Sequence, residues 1–401
     1  MLQQLLLICI MEVIDMQFEF DELKRIYDTQ GTQSAVDYCL AIRKTNNKEM
    51  RLYLPTGYVN IPWIRKCGCS KITILGGRGT GKTYSILEDL TKDIETPFIM
   101  IRRTKTQIEE CCSSDGNPFY TLARDKGLTI EPVKNKHHVN FYDSHLEEQE
   151  DQTFKIVHDK EICFATSLST FYNLRGFDGN RYNTLFFDEI IKEPLERNVR
   201  GEGKAFLNMI ETIQRNRELD GKKPLECLLA GNTDTLDSEI LQSIGAIPII
   251  ERMKATGQEI YISRENDLAI FDLYDSPISK IKAMTTLYKN NKNKAFTDMA
   301  VNNTFIDLRD ASEIQTRRLQ DCIPLYTLNK QVCIYSVKNS NEWYVAKKIS
   351  GSPEDFNMLL KDSKLRWKQL YFDAFISKTT SKNIIFESFD TKVLFHSLLN
   401  F

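Results

Sequence analysis

This chain of 401 residues lacks a long hydrophobic segment, an excess of charge of either sign and any CxxC cysteine pair. Its longest uninterrupted apolar run, residues 5–11, is far shorter than the roughly 20 residues of a membrane-spanning helix, which excludes an integral membrane protein. Basic and acidic residues number 53 and 55, so the molecule as a whole is not a polycation that coats nucleic acid. The ten unpaired cysteines predict reduced thiols in a cytosolic protein.

The apolar pattern predicts helices first and then an alternation of strands and helices. Residues 17–50 have apolar side chains at helical spacing, and Gly31 separates two short helices. Apolar strands then alternate with helical stretches, which predicts a parallel α/β sheet. We predict its strands at residues 71–75, 97–101, 184–187, 225–230, 259–262 and 268–273.

A glycine-rich loop follows the first of these strands and opens a helix. It matches the pattern GxxxxGK[ST] and consists of Gly76, Gly77, Arg78, Gly79, Thr80, Gly81, Lys82 and Thr83. In this context backbone N–H groups close on the phosphates of a nucleotide, Lys82 reaches the β and γ phosphates, and Thr83 offers a hydroxyl to Mg²⁺. The alternative is a glycine-rich turn with an exposed lysine. We therefore predict an ATP site of the Walker A type.

A second apolar strand, about a hundred residues further on, ends in Asp188 and Glu189. This is the Walker B arrangement, in which Asp188 would hold Mg²⁺ through water. Glu189 would accept a proton from the attacking water, a role that motor ATPases need and small-molecule kinases do not. Two carboxylates capping a strand at the surface are the alternative. The pair predicts a P-loop NTPase of the ASCE type that hydrolyses ATP.

The surroundings of these motifs resemble the terminase large subunits of tailed phages. The resemblance is carried by FYNLRGF before the Walker B strand, RNRE after it, AGNT at the end of the next strand and FIMIRRTK at the double arginine. It is greatest to the DNA-encapsidation ATPases of small protein-primed short-tailed phages of the Picovirinae type. It covers residues 70–275 well, the C-terminal part only in architecture, and residues 1–60 not at all.

This resemblance implies roles for several polar residues. Arg215 matches an arginine finger that reaches the γ-phosphate on the next subunit of a ring, where it would stabilise transition-state charge. Arg175 matches a lid or switch position, and Asn232 matches a polar sensor of the phosphate. Surface salt bridges are an equal alternative for Arg175 and Arg217.

Three basic residues follow the second predicted strand: Arg102, Arg103 and Lys105. They either line a channel and contact DNA phosphates, or one of them faces the nucleotide while the others are solvated. We treat all three as candidates for DNA binding. Duplex DNA would be bound through its backbone, because a packaging motor moves any sequence.

The C-terminal part predicts the order β-β-β-α-β-α, that of a truncated RNase H-like α+β domain. Its first strands carry no acid, and Glu387 and Asp390 alone cannot hold two metal ions about 4 Å apart. We therefore expect a vestigial nuclease domain without nuclease activity, reused for docking. The predicted domains are a helical extension at residues 1–60, the ATPase at 61–275, a helical linker at 276–320 and the vestigial nuclease domain at 321–401.

The resemblance implies a packaging motor that couples ATP hydrolysis to movement of double-stranded phage DNA into a procapsid. The expected cofactors are ATP and Mg²⁺, and the expected assembly is a homo-oligomeric, pentameric ring. It would dock on the portal vertex of the procapsid, with a packaging RNA as an optional bridge, and it would work in the host-cell cytoplasm without a membrane partner. The alternatives are a helicase or another nucleic-acid-dependent ATPase, and a nucleotide-switched assembly scaffold.

Overall fold

A computed structural model of the chain describes residues 2–113, 115–149, 153–173, 176–192, 196, 199, 201–233, 235–289 and 311–399. Among the helices it describes, none combines the length and the apolar character needed to cross a bilayer. The helices are α1 (Leu2–Thr45), α2 (Ile61–Ile64), α3 (Lys82–Leu90), α4 (Lys105–Glu110), α5 (Tyr120–Lys126), α6 (Glu202–Gln214), α7 (Glu239–Ser243), α8 (Ile247–Thr256), α9 (Pro277–Lys282), α10 (Thr286–Lys289), α11 (Lys361–Thr380) and α12 (Phe389–Leu399).

A nine-stranded sheet forms the centre of the molecule, with strand order β3-β4-β5-β2-β6-β7-β1-β9-β8. Its strands are β1 (Lys71–Leu75), β2 (Phe98–Arg102), β3 (Ile130–Lys134), β4 (His138–Glu148), β5 (Phe154–Ser167), β6 (Thr184–Asp188), β7 (Glu226–Gly231), β8 (Ile260–Ser263) and β9 (Leu268–Asp272). The six strands from β5 to β9 in this order pair in parallel, whereas β3, β4 and β8 pair antiparallel at the two sides. The predicted parallel α/β sheet is therefore present.

Each of the six predicted strands lies within about one residue of an observed one. Five of them are runs of apolar side chains buried on both faces, whereas β8, at the side of the sheet, is only partly buried. The prediction missed β3, β4 and β5. Glu147 and Glu148, which lie in an acidic stretch of the sequence, belong to β4, where they are exposed. These strands alternate charged and apolar residues because much of their length faces solvent, so they lack the continuous apolar signal.

The hairpin of β4 and β5 extends well past the sheet. Strand β5 pairs with β2 only over residues 163–167, and its first nine residues pair with β4 alone. Since β5 runs parallel to β2 and β6, this arm projects from the edge where the parallel strands begin. We call that edge the amino edge, and the opposite one, where the strands end, the carboxyl edge.

The N-terminal helix α1 is anchored beside the nine-stranded sheet by a buried arginine. Gly31 interrupts α1 with φ of 85°, as predicted for a boundary between two helices. Arg43, fully buried, donates to Glu259 at 2.8 Å and to Asp275 at 3.0 Å. Helix α9, from the segment predicted as a linker, packs against α1 through Ile281. The extension and the start of this segment thus share one small core.

The C-terminal part forms a five-stranded sheet with order β13-β10-β11-β12-β14. Its strands are β10 (Cys322–Leu328), β11 (Val332–Val337), β12 (Trp343–Ala346), β13 (Glu354–Phe356) and β14 (Ile384–Phe386). The predicted order had three strands before the long helix, but residues 354–356 form a fourth, which pairs in parallel with β10, and the helix begins at residue 361. The strand that follows the helix pairs in parallel with β12.

Helix α12 belongs to two cores at once. Phe389 and Val393 pack in the core on one face of the nine-stranded sheet, whereas Phe395 and Leu399 pack in the core of the C-terminal domain. A hydrogen bond from Gln242 to the backbone carbonyl of residue 390, 3.0 Å long, adds a polar contact between the two parts. This shared helix joins the C-terminal domain to the nine-stranded sheet.

Candidate nucleotide site

The glycine-rich loop connects β1 to α3 at the carboxyl edge of the sheet. Gly79 and Gly81 have φ of 78° and 82°, in the left-handed region that glycine adopts without steric cost. A Cβ on Gly81 would also lie 2.6 Å from the Tyr58 ring. Both the backbone conformation and this close approach require glycine at position 81. The loop therefore turns sharply into the amino end of α3, where backbone N–H groups favour an anion.

Lys82 is 7% exposed, and its ammonium group turns back over the loop. Its Nζ donates to the carbonyl oxygens of Gly76 and Gly77 at 2.7 and 2.9 Å, and to Oδ1 of Asn232 at 3.1 Å. These three acceptors are neutral. An ammonium held by such acceptors can exchange them for a charge-assisted contact with an anion that enters the loop.

The end of β6 supplies the carboxylates. The Thr83 hydroxyl donates to the two Asp188 carboxylate oxygens at 3.0 and 3.1 Å, and Asp188 is 3% exposed. A hydroxyl and a carboxylate are hard oxygen donors of the kind that Mg²⁺ prefers, with phosphate and water oxygens completing its octahedron. The two predicted metal ligands are thus adjacent, and their chemistry fits Mg²⁺. Within the described residues, no group of three or more His, Cys, Asp or Glu side chains could hold a metal ion.

Arg102 lies between the two carboxylates of the Walker B pair. Its guanidinium is 3.0 Å from Asp188 and 3.1 Å from Glu189. Burial lowers the pKa of Arg102, but the attraction of Asp188 and Glu189 outweighs burial and leaves the pKa raised. Arg102 therefore faces the nucleotide site and not a DNA channel, which corrects its assignment as a DNA-binding residue.

Glu189 has an unusual backbone for a residue with a side chain. Its φ is 62°, in the left-handed region, and its side chain is 43% exposed. The next residue, Ile190, returns to the sheet by donating its N–H to the carbonyl of Ala230 at 3.0 Å. This turn directs the Glu189 carboxylate away from the strand and towards solvent. Such strained positions occur preferentially at functional sites.

These elements enclose a cavity of about 310 Å³ at the carboxyl edge. It is lined by Arg78, Gly79, Thr80, Gly81, Lys82, Thr83, Tyr84, Asp188, Glu189, Ala230, Gly231 and Asn232. Loop, metal ligands, carboxylates and the predicted sensor Asn232 thus meet in one place, since parallel strands bring their carboxyl ends to a common edge. Of the eight residues of the glycine-rich loop, Gly76 and Gly77 at its base do not line the cavity.

The predicted arginine finger lies far from this cavity. Arg215 follows the end of α6, has φ of 43°, and donates to the carbonyl of Phe177 at 2.6 Å. Its neighbour Arg217 binds the residues just before β6, so this turn lies at the amino edge. An exposed arginine at that edge cannot reach the nucleotide of its own subunit. Arg175, the predicted lid residue, lies outside the described residues.

Arg103 also differs from the prediction, whereas Lys105 stays a candidate. Arg103 is fully buried and pairs with Glu196 and Glu202, both at 2.7 Å, so it is neither solvated nor accessible to DNA. Both partners come from the segment after β6, a long-range contact that no local pattern reveals. Lys105 is exposed at the start of α4 and lies 3.6 Å from Glu109. Of the three candidates, Lys105 alone is placed to contact a solvent-borne partner.

Two residues beside the loop were missed by sequence reasoning. Tyr58 covers Gly81, as described above, and Lys282 donates from Nζ to the carbonyl of Arg78 at 2.5 Å. Lys282 also lies 4.9 Å from the Tyr288 ring centroid. They approach from segments distant in sequence that contain no nucleotide-binding motif, so no sequence signal identifies them. Segments on both sides of the ATPase sequence therefore border the loop.

Comparison with solved structures relates the fold to phage packaging motors. The chain is similar to the Phi-28 gp11 DNA packaging motor, with a TM-score of 0.55 and 17% identity over 84% of this chain and 95% of that one. It is also similar to the bacteriophage Phi-29 viral genome packaging motor assembly, with a TM-score of 0.54 and 15% identity over 85% of this chain and 99% of that one. No protein-family model and no curated sequence matches.

At these identities the likeness shows the fold. The chain has a P-loop ATPase fold with a C-terminal domain, as predicted, and this fold is shared with packaging motors. The resemblance inferred from the motifs is thereby confirmed at the level of the fold. The cavity at the carboxyl edge occupies the position in which open α/β sheets bind ligands.

Proposed function

We propose that this chain is a viral DNA-packaging ATPase, which couples ATP hydrolysis to movement of double-stranded phage DNA into a procapsid. The observation that carries the proposal is the contact chain Thr83–Asp188–Arg102–Glu189 at the mouth of the loop cavity. It joins a metal-ligand pair to a strained, exposed carboxylate on a fold shared with packaging motors. ATP and Mg²⁺ are the proposed substrate and cofactor.

The residues of the site divide the chemistry among themselves. Lys82 exchanges its neutral carbonyl acceptors for phosphate oxygens, and Asn232, which holds Lys82 beforehand, registers that exchange. Thr83 and Asp188 would hold Mg²⁺, which when bound would neutralise phosphate charge. Glu189 orients a water molecule and accepts its proton. Arg102 is a positioning residue that fixes the direction of both carboxylates.

Hydrolysis would depend on a neighbouring subunit. Arg215 is exposed at the amino edge, opposite the nucleotide of its own chain, so a guanidinium at this place can serve only a nucleotide bound elsewhere. We propose that it completes the site of the next subunit in a homo-oligomeric, pentameric ring, where it would stabilise charge that develops in the transition state. Arg175 stays a proposed switch residue.

The C-terminal domain, residues 321–401, would dock the motor without cutting DNA. Its two candidate acids are both engaged by Lys347: the backbone N–H donates to Glu387 at 3.0 Å, and the side chain pairs with Asp390. With Asp390 held by an ammonium group and Glu387 by a backbone N–H, the two acids are a poor ligand set for two divalent ions. We propose that this domain faces the portal vertex of the procapsid, directly or through a packaging RNA, in the host-cell cytoplasm.

Stimulation of ATP turnover distinguishes this function from its rivals. The purified protein is assayed alone, with linear duplex DNA, with empty procapsids and with both. A packaging motor is stimulated by DNA and procapsids together, a helicase by nucleic acid without procapsids, and an assembly scaffold by neither. Turnover that stays at the basal level in all four conditions would exclude the packaging function.

A further inference from the structure

A second cleft lies at the amino edge of the sheet, on the side opposite the nucleotide cavity. Its volume is about 680 Å³, and it is bordered by residues at the starts of β6 and β7 and just before β1 and β9. No residue of the Walker motifs lines it. The charged residues that line it are Arg65, Arg217, Lys222, Lys223, Glu226 and Asp267.

The two acids of this cleft are already paired. Glu226 lies 2.6 Å from Arg65, which also pairs with Asp89 at 2.8 Å. Asp267 accepts from Ser70 and lies 3.2 Å from Lys71. Both acids are therefore paired with basic residues, and the charge that the cleft presents to a ligand comes from its remaining basic residues.

Arg217 is a buried cation that forms no ion pair with an acid in the described part of the chain, although the charge of the adjacent Glu218 acts on it. It is 2% exposed, and its guanidinium donates to the carbonyl of Tyr182 at 2.8 Å and to the side chain of Asn183 at 2.6 Å, both neutral acceptors. Its Nε is buried without a hydrogen-bond partner, and burial lowers the pKa of the group. A buried charge in this state is stabilised when an anion approaches.

Lys222 and Lys223 add two exposed cations at the rim. Neither is ion-paired with an acid in the part of the chain that the structure describes. Four basic and two acidic residues line the cleft, a net charge of +2. The turn that carries Arg217 and both lysines begins directly after Arg215 and is closed by a hydrogen bond from the Lys222 N–H to the carbonyl of Arg217 at 2.9 Å.

We propose that this cleft binds the phosphates of duplex DNA. The inference rests on the proposed function, in which duplex DNA is the partner. It places the DNA contact in this cleft and not at Arg102 and Arg103. Lysines act as point charges for phosphate and carry no base-specific geometry, so the contact is independent of sequence. The turn begins directly after Arg215. One short segment therefore carries both the arginine proposed to contact the nucleotide of the neighbouring subunit and the lysines proposed to contact DNA.

The test is the salt dependence of duplex binding by the Lys222→Gln/Lys223→Gln double variant. A fluorescein-labelled 30-base-pair duplex is titrated with full-length protein at several KCl concentrations. We expect the slope of log affinity against log salt to fall by about 1 to 2, since each phosphate contact contributes about 0.9. Affinity at low salt falls about ten-fold, and basal ATPase is unchanged. Lys44→Gln/Lys204→Gln, at two exposed lysines elsewhere, keeps the wild-type slope.

The outcomes separate the cleft from the proposed function. A double variant with the wild-type slope, in a protein that DNA and procapsids still stimulate, overturns the cleft and leaves the function standing. A wild-type protein that neither binds duplex nor responds to it overturns both. A double variant that binds duplex normally but self-associates less in sedimentation velocity shows that the cleft takes acidic groups of another subunit, and it also overturns the DNA assignment.

Discussion

The Thr83 hydroxyl lies 3.0 Å from a carboxylate oxygen of Asp188, although 105 positions separate the two residues in the chain. The contact forms because β1 and β6 flank β7 in the parallel sheet and all three strands end at the carboxyl edge. A metal-ligand pair is therefore assembled by the topology itself.

Replacing Arg103 by methionine should destabilise the protein without changing the salt dependence of its DNA binding. The variant leaves Glu202 buried without its guanidinium partner, a loss of about 3 to 5 kcal/mol in the free energy of unfolding. Urea unfolding measures this loss, and the salt slope of duplex binding should stay at the wild-type value. A flattened slope in a stable variant would return Arg103 to the DNA interface.

The same variant should regain part of its stability at low pH. Burial already raises the pKa of Glu202, with Arg103 opposing that shift, so removing Arg103 raises it further. A carboxyl whose folded-state pKa is raised stabilises the fold when it is protonated and loses that contribution as the pH rises through the folded-state pKa. The deficit relative to wild type should be smaller at pH 5 than at pH 8. An equal deficit at both values would show that Glu202 is not the group left unpaired.

Arg215 should act between subunits. Arg215→Ala subunits lack the finger and Lys82→Ala subunits lack the phosphate contact, so each preparation alone should have little ATPase activity. Mixing them should restore part of it, because an intact pocket can then meet an intact finger across an interface. Absence of any recovery, in mixtures shown to co-assemble by sedimentation, would place the role of Arg215 within one subunit.

The protein should not cut DNA. Incubation of the full chain with supercoiled plasmid and Mn²⁺ should leave the plasmid intact, since Lys347 already engages both candidate acids of the C-terminal domain. Nicking that disappears in Glu387→Ala would identify a working nuclease centre there.

Much of the nucleotide site could be predicted because its residues adjoin their strands in sequence. Lys82, Asp188 and Asn232 each follow an apolar run closely, and parallel strands bring those ends together. Arg103 could not be placed, because its acid partners come from the segment beyond β6. Tyr58 was missed for the same reason, since it reaches the loop from a segment without a motif.

The fold was predictable where burial is continuous and unpredictable where it is not. The buried strands of the parallel sheet have a strong apolar signal, whereas the arm of β4 and β5 exposes Leu146, Phe154 and Ile156 among charged neighbours. Pairing along the arm comes from backbone hydrogen bonds between its two strands, which side-chain pattern records poorly. Strand β13 has three residues, too few for any periodic signal.

The proposed mechanism of ATP hydrolysis assigns phosphate binding to Lys82 and activation of water to Glu189, and separate measurements of binding and turnover test this division directly. Binding of a fluorescent ATP analogue and steady-state ATP turnover are measured for wild type, Lys82→Ala and Glu189→Gln, each with duplex DNA and procapsids present. We expect Lys82→Ala to lose binding of the ATP analogue. Glu189→Gln should bind the analogue like wild type but turn over ATP at least about 100-fold more slowly, which is the lower end of a general-base contribution. Turnover by Glu189→Gln near the wild-type rate would contradict the role of Glu189 as the base.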